Sequence, residues 1–301
     1  MTDPKVSILI LNYNRYQYTL ECINSLLGIN YSNFKILLVD NCSTDDSFEK
    51  LKNELAEIEV LQTSNNLGYT GGINFGIRHL MQKDAEYILV INNDTIVEKD
   101  FLSHLVKAME SNPGAAAACG TILNEHDRER IWYASGKIIS WRGLAVHLNK
   151  GEKFVQSSIV QTVGFITGCL MLLKVSCLEK TGLLDERFFM YLDDIEFSRR
   201  IINNGLKLLY VPTAIIYHKV LGEKESAFKL YYSVRNRLLL ISVSFGKISG
   251  TISVIYFVIV IIIKIFYWLF TNQLFAKAAV KGLSDYNRKN FGKGRGFLFY
   301  S

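Results

Sequence analysis

Short apolar runs alternate with helix-like segments over the first hundred residues. Four runs have the length of a strand and cover residues 6–11, 34–39, 58–62 and 87–91. The intervening stretches 18–27 and 73–81 carry apolar residues at helical spacing. Strands that alternate with helices in this way predict an α/β fold with a right-handed, mostly parallel sheet and helices on both faces.

Each of these four strands ends in a polar loop. The loops contain, in order, Asn12-Tyr13-Asn14, Asp40-Asn41, Asn65-Asn66 and Asn92-Asn93-Asp94. Ligands of open α/β sheets bind at the edge where the carboxyl ends of parallel strands meet. Asn and Asp also favour turns and helix caps, which is the alternative interpretation of any single loop. Four such loops favour a shared binding site, in which Asp94 suits a divalent cation that also holds phosphate oxygens.

The middle of the chain predicts a less regular arrangement. We expect a helix at 101–111, a strand at 115–123, hairpin strands within 132–148 and a strand or strand–turn at 163–174. A helix follows Asp193 and ends at Gly205, which is a C-cap signal. Two further short strands are predicted at 206–211 and 215–218.

Three carboxylates, Asp193, Asp194 and Glu196, lie within four residues at the start of that helix. The helix dipole favours acidic side chains there, which is the structural interpretation. Crowding also raises the pKa of at least one of them, as a general base requires. His218 ends a strand-like run and is either structural or a ligand for a metal or diphosphate.

Composition narrows the range of partners. The 301 residues carry a net charge of +6, which fits an anionic partner such as a nucleotide or a lipid surface. No stripe of basic and aromatic residues occurs in residues 1–230, so nucleic acid is not expected. The five scattered cysteines predict reduced thiols in a cytoplasmic setting, with neither disulfides nor a zinc site. The Gly-rich loop at 68–72 matches neither the dinucleotide-binding nor the phosphate-loop pattern.

Five motifs resemble, in order, those of the family 2 inverting glycosyltransferases, and in particular their rhamnosyltransferase-like branch. They are LNYNR, VDNCSTDDS, NNLGYTGGINFGI, LVINNDTIV and FFMYLDDIEFSRRI, and the later YYSVRNRLLL segment is also similar to that branch. The resemblance covers about residues 5–240. It implies a GT-A catalytic domain at 1–240, with a nucleotide-binding half at 1–100 and an acceptor-binding half at 101–240.

The same resemblance implies an activity. The enzyme would move a sugar from a nucleotide-sugar donor, with dTDP-rhamnose as a candidate, to a lipid-linked or polysaccharide acceptor in cell-surface glycan biosynthesis. Two alternatives remain open. One is a polyprenyl-phosphate glycosyltransferase, whose acceptor phosphate needs no base. The other is a catalytically inactive, membrane-tethered binder of nucleotides or glycans, although retention of Asp40, Asp94 and Asp194 speaks against it.

Individual residues take their predicted donor-binding roles from the resemblance. Asp40 would contact the base or ribose, and Asn12 would help to line the nucleotide pocket. The other predicted nucleotide-sugar-binding residues are Asn41, Asn65, Gly72, Asn74, Asn93 and Asp94.

The metal and the base are assigned in the same way. Asp94 matches the metal-binding carboxylate of a DXD-type motif, in which Asn92 replaces the first acid. His218 does not come from the resemblance: its position at the end of a strand-like run makes it the second predicted ligand of a divalent metal, Mn²⁺ or Mg²⁺. Asp194 matches the catalytic base that deprotonates the acceptor hydroxyl, and its neighbour Asp193 is the second candidate for that role.

Residues 248–270 differ most from the rest of the chain, because these 23 residues carry a single charge, Lys264. As a helix they would extend about 35 Å, enough to span a bilayer core. Polar residues of this segment fall on one helical stripe, as in a helix that docks on its own domain or lies in the membrane interface. They are Ser249, Ser253, Tyr256, Lys264 and Tyr267.

The flanking charges also bear on membrane topology. The basic residues that follow the apolar segment are Lys277, Lys281, Arg288, Lys289, Lys293 and Arg295. A single span with a cytoplasmic catalytic domain would put them outside, against the positive-inside tendency. We therefore predict that region 241–301, a hydrophobic helix with a basic tail, attaches peripherally or monotopically to the cytoplasmic face of the cell membrane, with a single span as the alternative.

Overall fold

The structure is a computed structural model that describes residues 3–219 and 225–294. The strands are β1 (Val6–Asn12), β2 (Phe34–Asp40), β3 (Glu59–Gln62), β4 (Tyr87–Asn92), β5 (Thr95–Val97), β6 (Ala115–Asn124), β7 (Ile131–Tyr133), β8 (Gly136–Ile139), β9 (Leu144–His147), β10 (Gln161–Thr162), β11 (Leu170–Lys174) and β12 (Lys207–His218). The helices are α1 (Tyr16–Leu27), α2 (Ser47–Glu54), α3 (Gly68–Leu80), α4 (Phe101–Glu110), α5 (Val175–Thr181), α6 (Asp193–Asn203), α7 (Ala227–Ser244), α8 (Lys247–Thr271) and α9 (Gln273–Asn287). Two 3₁₀ turns cover Ser140–Arg142 and Glu186–Phe188.

The four strands predicted in the first hundred residues are confirmed. They pair in parallel in the order β4-β1-β2-β3. Asn12 at the end of β1 pairs with Asp40 at the end of β2, so these strands end level with each other. Ile8, Leu9 and Ile10 of β1 are fully buried. Helices cover both faces of such a sheet, which explains why its strands are continuous apolar runs.

The second half of the chain adds antiparallel strands to these parallel ones. There β11 lies between β4 and β6 and is antiparallel to both. Strands β5 and β10 also pair antiparallel, with β12, whereas β12 runs parallel to β6. Parallel neighbours need a crossover connection, usually a helix. The chain between β9 and β11 contains no described helix, so β11 enters the sheet in the opposite direction.

The two short strands predicted at 206–211 and 215–218 form one strand, β12. Its register with β6 shifts between Val211 and Ile215, on either side of Pro212. Proline lacks an N–H, so it interrupts the hydrogen-bonded ladder without ending the strand. The C-terminal end of β12 pairs with β5, which sets His218 opposite Thr95.

The predicted Gly-rich loop at 68–72 is the first part of helix α3. Gly68 has φ +74°, and a Cβ there would lie 2.4 Å from the carbonyl oxygen of Phe189. A Cβ on Gly72 would lie 2.6 Å from the side chain of Leu11. The glycines therefore let α3 approach strand β1 and the segment around Phe189.

The C-terminal helices pack on one another and on the preceding part of the chain. Tyr231 of α7 donates a hydrogen bond to Asp285 of α9 (2.7 Å), and Ser253 of α8 donates to the carbonyl oxygen of Ser140. The domain boundary predicted after residue 240 falls inside α7. A separate C-terminal domain remains a proposal, and Arg295 of the predicted basic tail lies outside the described residues.

Helix α8 is long and apolar enough to cross a membrane, judged by length and composition alone. One face is buried against the protein through Gly250, Ser253, Phe257 and Ile261. The opposite face is exposed and contains Ile248, Ile252, Ile255, Ile259, Ile262, Ile263, Phe266, Leu269 and Phe270.

The segments on both sides of α8 contact the part of the chain that precedes α7. After α9 the chain returns to the segment that precedes Asp193, because Gly292 N donates to the carbonyl oxygen of Arg187 (2.8 Å). Arg235 of α7 donates to the carbonyl oxygen of Gly292 (2.7 Å). In this structure, therefore, the segments before and after α8 lie on the same body of protein.

Candidate active site

Asp40, at the end of β2, is fully buried in a network of hydrogen bonds. Its Oδ1 accepts from Ser43 N (2.9 Å) and Gln62 Nε2 (3.1 Å). Its Oδ2 accepts from Asn12 Nδ2 (2.7 Å) and Ser43 Oγ (2.6 Å). Such bonds are what permits a buried carboxylate. All four hydrogen bonds are made by groups of the protein itself. This geometry therefore gives no support to direct contact between Asp40 and a base or ribose.

A chain of side chains links Asp40 to the loop after β4. Thr19 Oγ1 donates to Asn12 Oδ1 (2.8 Å) and accepts from Asn93 Nδ2 (2.8 Å). Asn12 in turn donates to Asp40. The structure therefore brings together three of the predicted donor-site residues, from the loops after β1, β2 and β4.

The loop after β3 is attached by Asn41. Its Nδ2 donates to the carbonyl oxygen of Gly68 (2.9 Å), and its Oδ1 accepts from Leu67 N (3.0 Å). Asn41 is buried, so it fixes the start of α3, whereas Asn65 on the same loop is exposed. Of these two predicted residues, Asn65 is the one whose side chain is open to a ligand.

Gly72 and Asn74 both lie in helix α3, so Asn74 is in the helix predicted at 73–81 and Gly72 is in a helix rather than in the predicted loop. Asn74 is buried and exchanges two hydrogen bonds with the backbone of Leu184 (2.8 and 3.1 Å), and it also donates to Glu186. Gly72 packs on Leu11. These contacts indicate structural roles and do not support contact with the nucleotide sugar.

Asp94 and His218 meet at the end of the sheet. Pairing of β5 with β12 sets His218 Nε2 3.1 Å from Asp94 Oδ1. The ring of Trp132 packs edge-on against the imidazole, with centroids 4.5 Å apart. Asp94 Oδ1 and His218 Nδ1 are buried atoms that make no hydrogen bond in the described structure. Buried polar atoms without a hydrogen bond are rare, so Asp94 Oδ1, which has the ion-pair contact with His218 Nε2, is open to a further ligand.

This pair fits a divalent cation that is shared with a ligand. Within residues 3–219 and 225–294, no group of three or more His, Cys, Asp or Glu side chains could hold a metal by itself. One carboxylate and one imidazole leave most coordination positions to phosphate oxygens and water, as is usual for cations that act on phosphates. The replacement of an acid by Asn92 agrees with such a partial site.

The two acidic residues at the start of α6 have different surroundings. Asp194 Oδ2 accepts from Gly168 N (3.1 Å) and its Oδ1 from Ile195 N (2.9 Å). Asp193 is 3% exposed, and its Oδ2 is buried without a partner. Burial raises the pKa of both carboxyls, and the charge of Asp194 raises that of Asp193 further. Asp194 is the less buried of the two, which favours it as the base that meets an acceptor.

The negative charges of the Asp94 and Asp194 carboxylates both affect the pKa of Tyr69 and of Cys169. Burial raises the pKa of Tyr69 and of Cys169, and the negative charges of both Asp94 and Asp194 add to each shift. Tyr69 also donates to the carbonyl oxygen of Gly168 (2.6 Å), whose N–H contacts Asp194. Backbone contacts bring the predicted metal end and base end near each other, because Asn92 N donates to the carbonyl oxygen of Cys169 (3.0 Å) and the adjacent Gly168 N donates to Asp194.

His147 is a site residue to which the sequence assigned no role. It ends strand β9, and its Nδ1 lies 3.1 Å from the carbonyl oxygen of Trp132. Its charge lowers the pKa of Asp194, opposing the effect of burial. Nothing in the sequence around His147 indicates this role, because the interaction with Asp194 joins residues far apart in the chain.

The loop that leads into Asp193 is held in an unusual conformation. Phe189, Tyr191 and Leu192 have φ values of 64°, 67° and 67°, which is costly for residues other than glycine. Asn236 Nδ2 donates to the carbonyl oxygens of Phe188 (2.9 Å), Met190 (2.7 Å) and Tyr191 (3.0 Å). Arg235, its neighbour in the YYSVRNRLLL motif, donates to the carbonyl oxygens of Arg187 and Phe188.

Asn236→Ala is expected to release this loop. The change removes the side-chain donor of the Met190 and Tyr191 carbonyl oxygens, whereas the Phe188 oxygen keeps its bond from Arg235, so we expect the free energy of unfolding to fall by about 2–4 kcal/mol. The catalytic rate should also fall, because Asp193 and Asp194 follow the loop. Thermal unfolding and initial rates would be compared with Asn204→Ala, which removes an exposed amide from the end of α6. An unfolding temperature equal to that of wild type would contradict the role assigned to Asn236.

Comparisons with known proteins identify the family of the chain. The sequence model described as Glycosyl transferase family 2 matches residues 7–182. The chain is 25% identical to the low-salt glycan biosynthesis hexosyltransferase Agl10 of Haloferax volcanii, over 90% of this chain and 85% of that protein. It is 26% identical to the dTDP-rhamnosyl transferase RfbF of Shigella flexneri, over 79% and 80% respectively.

A third relative and one solved structure extend the comparison. The N-acetylglucosaminyl-diphospho-decaprenol L-rhamnosyltransferase of Mycobacterium tuberculosis is 27% identical over 61% of this chain and 66% of its own. The mannosyltransferase PcManGT of Pyrobaculum calidifontis, solved with GDP-Man and Mn²⁺, superposes with a TM-score of 0.58 at 12% identity, over 95% and 88%. The fold is therefore GT-A. Because the family model covers more than half of its length, the chain belongs to glycosyl transferase family 2.

Proposed function

We propose that this protein is an inverting glycosyltransferase that moves a sugar from a nucleotide-sugar donor to a hydroxyl of a membrane-linked glycan acceptor. The observation that carries the proposal is the pairing of two ends in one site. Asp94 and His218 form the end suited to a diphosphate, and Asp194 forms the end suited to a hydroxyl. The backbone joins the two ends, because Asn92 N donates to the carbonyl oxygen of Cys169 (3.0 Å) and Gly168 N donates to Asp194 (3.1 Å).

The chemistry follows from a base placed opposite a leaving group. Asp194 accepts the proton of the acceptor hydroxyl while the oxygen attacks the anomeric carbon in line. The bond from that carbon to the diphosphate oxygen breaks in the same displacement, so configuration inverts without a covalent enzyme intermediate. The raised pKa of Asp194 makes its carboxylate a stronger base than an exposed one.

Asp94 and His218 would hold Mn²⁺ or Mg²⁺, which neutralises charge on the departing diphosphate. The network of Asp40, Asn12 and Asn93 keeps the loops around the donor in one arrangement. Asn65, which is exposed at the same edge, is left to contact the donor directly. Direct contacts of Asp40, Asn41, Gly72 and Asn74 with the donor are not part of the proposal.

The names of the relatives support particular substrates. Two of them are named rhamnosyltransferases, one with a dTDP donor and one with a diphospho-decaprenol acceptor. We take dTDP-rhamnose as the first donor to test and a lipid-linked sugar as the first acceptor. A polysaccharide acceptor remains the second choice.

Attachment to the membrane would use the exposed apolar face of α8. Because the segments on both sides of α8 contact the same body of protein, the helix lies along the membrane surface rather than across it. Exposed isoleucines and Phe266 would enter the interface, and the neighbouring lysines would meet anionic headgroups. The catalytic part would face the cytoplasm, where nucleotide sugars are made.

A nucleotide-sugar panel tests the proposed function. Nucleoside diphosphates and their sugars would be added to the full chain with Mn²⁺, with Mg²⁺ or with EDTA, and thermal shift and nucleotide release would be measured. We expect one nucleotide to raise the unfolding temperature, and to raise it more with metal. Absence of stabilisation by every nucleoside diphosphate would refute the donor site.

Protease accessibility tests the membrane arrangement. In sealed, right-side-out spheroplasts, we expect an external protease to leave the segment after α8 intact, because that segment stays with the catalytic part. Lysed spheroplasts serve as the control in which the same sites must be cleaved. Trimming in the sealed sample would show that α8 spans the membrane.

A further inference from the structure

Arg142 and Arg237 form a pair of cations with no acidic partner among the described residues. Arg142 ends a 3₁₀ turn, Arg237 lies in α7, and Arg237 Nη2 donates to the carbonyl oxygen of Arg142 (2.5 Å). The Nε atoms of both side chains are buried and donate no hydrogen bond. Buried donors of this kind are normally satisfied, so the pair has unused capacity to bind an anion.

The positive charges of Arg142 and Arg237 repel each other, which also favours binding of an anion. Burial lowers the pKa of Arg237 to about 10, and the positive charge of Arg142 contributes to the shift. Arg237 lies over the ring of Phe257 at 4.5 Å, and Arg142 lies 5.8 Å from the ring of Tyr256. Cation–π contacts offset only part of the cost of burying two like charges. A bound phosphate would offset more, because its oxygens accept paired hydrogen bonds from guanidinium groups.

An apolar groove runs along the start of α8 and is lined by the two residues that precede Arg142 in the chain. Its volume is about 930 Å³. It is lined by Lys137, Ile138, Ile139, Ser140, Trp141, Gly246, Lys247, Ile248, Ser249 and Ile252. The lining contains two lysines and no acid, and its apolar side chains continue into the exposed face of α8. This surface suits a hydrocarbon chain that carries an anionic head.

The β8–β9 hairpin connects this region with the catalytic base. At one end Gly136 pairs with His147 and accepts a hydrogen bond from Gly164 N (2.9 Å), four residues before Gly168, which donates to Asp194. At the other end Ile139 pairs with Leu144, and the 3₁₀ turn that ends in Arg142 joins them. Three strand steps separate the ends, or about 10 Å. An acceptor sugar near Asp194 would therefore have its linkage close to the arginine pair.

We propose that Arg142 and Arg237 bind the phosphate group of a lipid-linked acceptor and that the groove along α8 holds the adjoining hydrocarbon chain. The inference rests on the proposed glycosyltransferase function and assigns a site for the lipid part of its acceptor. The arginines fix the phosphate, the hairpin sets its distance from Asp194, and α8 keeps the lipid at the membrane surface.

Calorimetric titration with farnesyl diphosphate tests the site. The full chain is used in EDTA, which keeps the cation site of Asp94 and His218 out of the titration. We expect wild type to bind, and Arg142→Gln and Arg237→Gln each to weaken binding about tenfold or more, because each removes charge-assisted hydrogen bonds. Lys264→Gln, which removes an exposed charge from α8, is the matched control and should bind as wild type does. Farnesol and inorganic diphosphate should both bind more weakly than farnesyl diphosphate.

Three outcomes would overturn the inference. One is that Arg142→Gln binds farnesyl diphosphate with the wild-type affinity, regardless of the result for the partly buried Arg237. Another is that Lys264→Gln weakens binding of farnesyl diphosphate as much as the arginine variants do. The third is that the arginine variants lose binding to phosphatidylcholine vesicles containing phosphatidylglycerol but keep the wild-type affinity for farnesyl diphosphate. That result would assign the arginines to lipid headgroups. The thermal shift with a nucleoside diphosphate, measured on the same samples, reports separately on the proposed function.

Discussion

Replacing Asp194 by Asn is expected to lower the rate of sugar transfer by about 10²–10⁴-fold. The amide keeps the size of the side chain and can still accept from Gly168 N, but it cannot take the proton of the acceptor hydroxyl. Donor binding should persist, since Asp94 and the Asp40 network are untouched. Initial rates at saturating donor and acceptor measure the effect, and the thermal shift with the nucleoside diphosphate verifies that the donor site is intact.

The matched control is Asp193→Asn, one residue earlier in the same helix. Asp193 is the more deeply buried of the two, so we expect a much smaller loss of rate from its replacement. A larger loss in Asp193→Asn than in Asp194→Asn would exchange their roles. Transfer by Asp194→Asn at the wild-type rate would instead indicate an acceptor that needs no base, such as a polyprenyl phosphate.

The same carboxyl sets the acid limb of the pH profile. Burial raises the pKa of Asp194 above its usual value of 3.8. Only the ionised form accepts a proton, so activity should be lost as the pH falls through this raised pKa. The limb is therefore expected above pH 3.8 in wild type and should be absent from the residual activity of Asp194→Asn.

Asp94→Ala is expected to lower transfer by about 10²–10³-fold and to remove the extra stabilisation that Mn²⁺ gives to a bound nucleoside diphosphate. The change removes the carboxylate of the two-residue cation site and leaves only His218. Initial rates across a range of Mn²⁺ concentrations measure the first effect, and thermal shift with and without metal measures the second.

Asp100→Ala is the control for this variant. Asp100 is an exposed carboxylate shortly after β5 that accepts a hydrogen bond from Asn30, so its loss should change neither readout. Equal turnover in wild type and Asp94→Ala would show that Asp94 is not part of the machinery. Equal absence of turnover would instead favour the catalytically inactive binder.

Much of the donor side could be predicted because its signals are local. A buried strand is an apolar run whatever its neighbours are, and the polar residues at its end are contiguous with it in sequence. The network of Asn12, Asp40 and Asn93 joins three such ends. What the pattern could not predict is that Asp40 is saturated by Asn12, Ser43 and Gln62. Saturation depends on side-chain directions, which residue type and spacing do not encode.

The acceptor side was harder because its contacts join distant parts of the chain. Strand β11 lies antiparallel in the sheet, and nothing in its own residues states that direction. His147 acts on Asp194 from a hairpin that carried no chemical signal. Arg142 and Arg237 belong to a turn and a helix that the sequence could not bring together.

The sequence by itself indicated the family, the four parallel strands with their polar ends, two candidate carboxylates for the site, and an apolar segment suited to a membrane. Tertiary structure decided the reversed strand β11, the helical state of the Gly-rich segment, the contact of Asp94 with His218, and the return of the chain after α8 to the catalytic part. The physical reason is one of range. Periodicity reports the burial of neighbouring residues, whereas strand direction, hydrogen-bond saturation and the position of a helix end depend on packing between segments far apart in the chain.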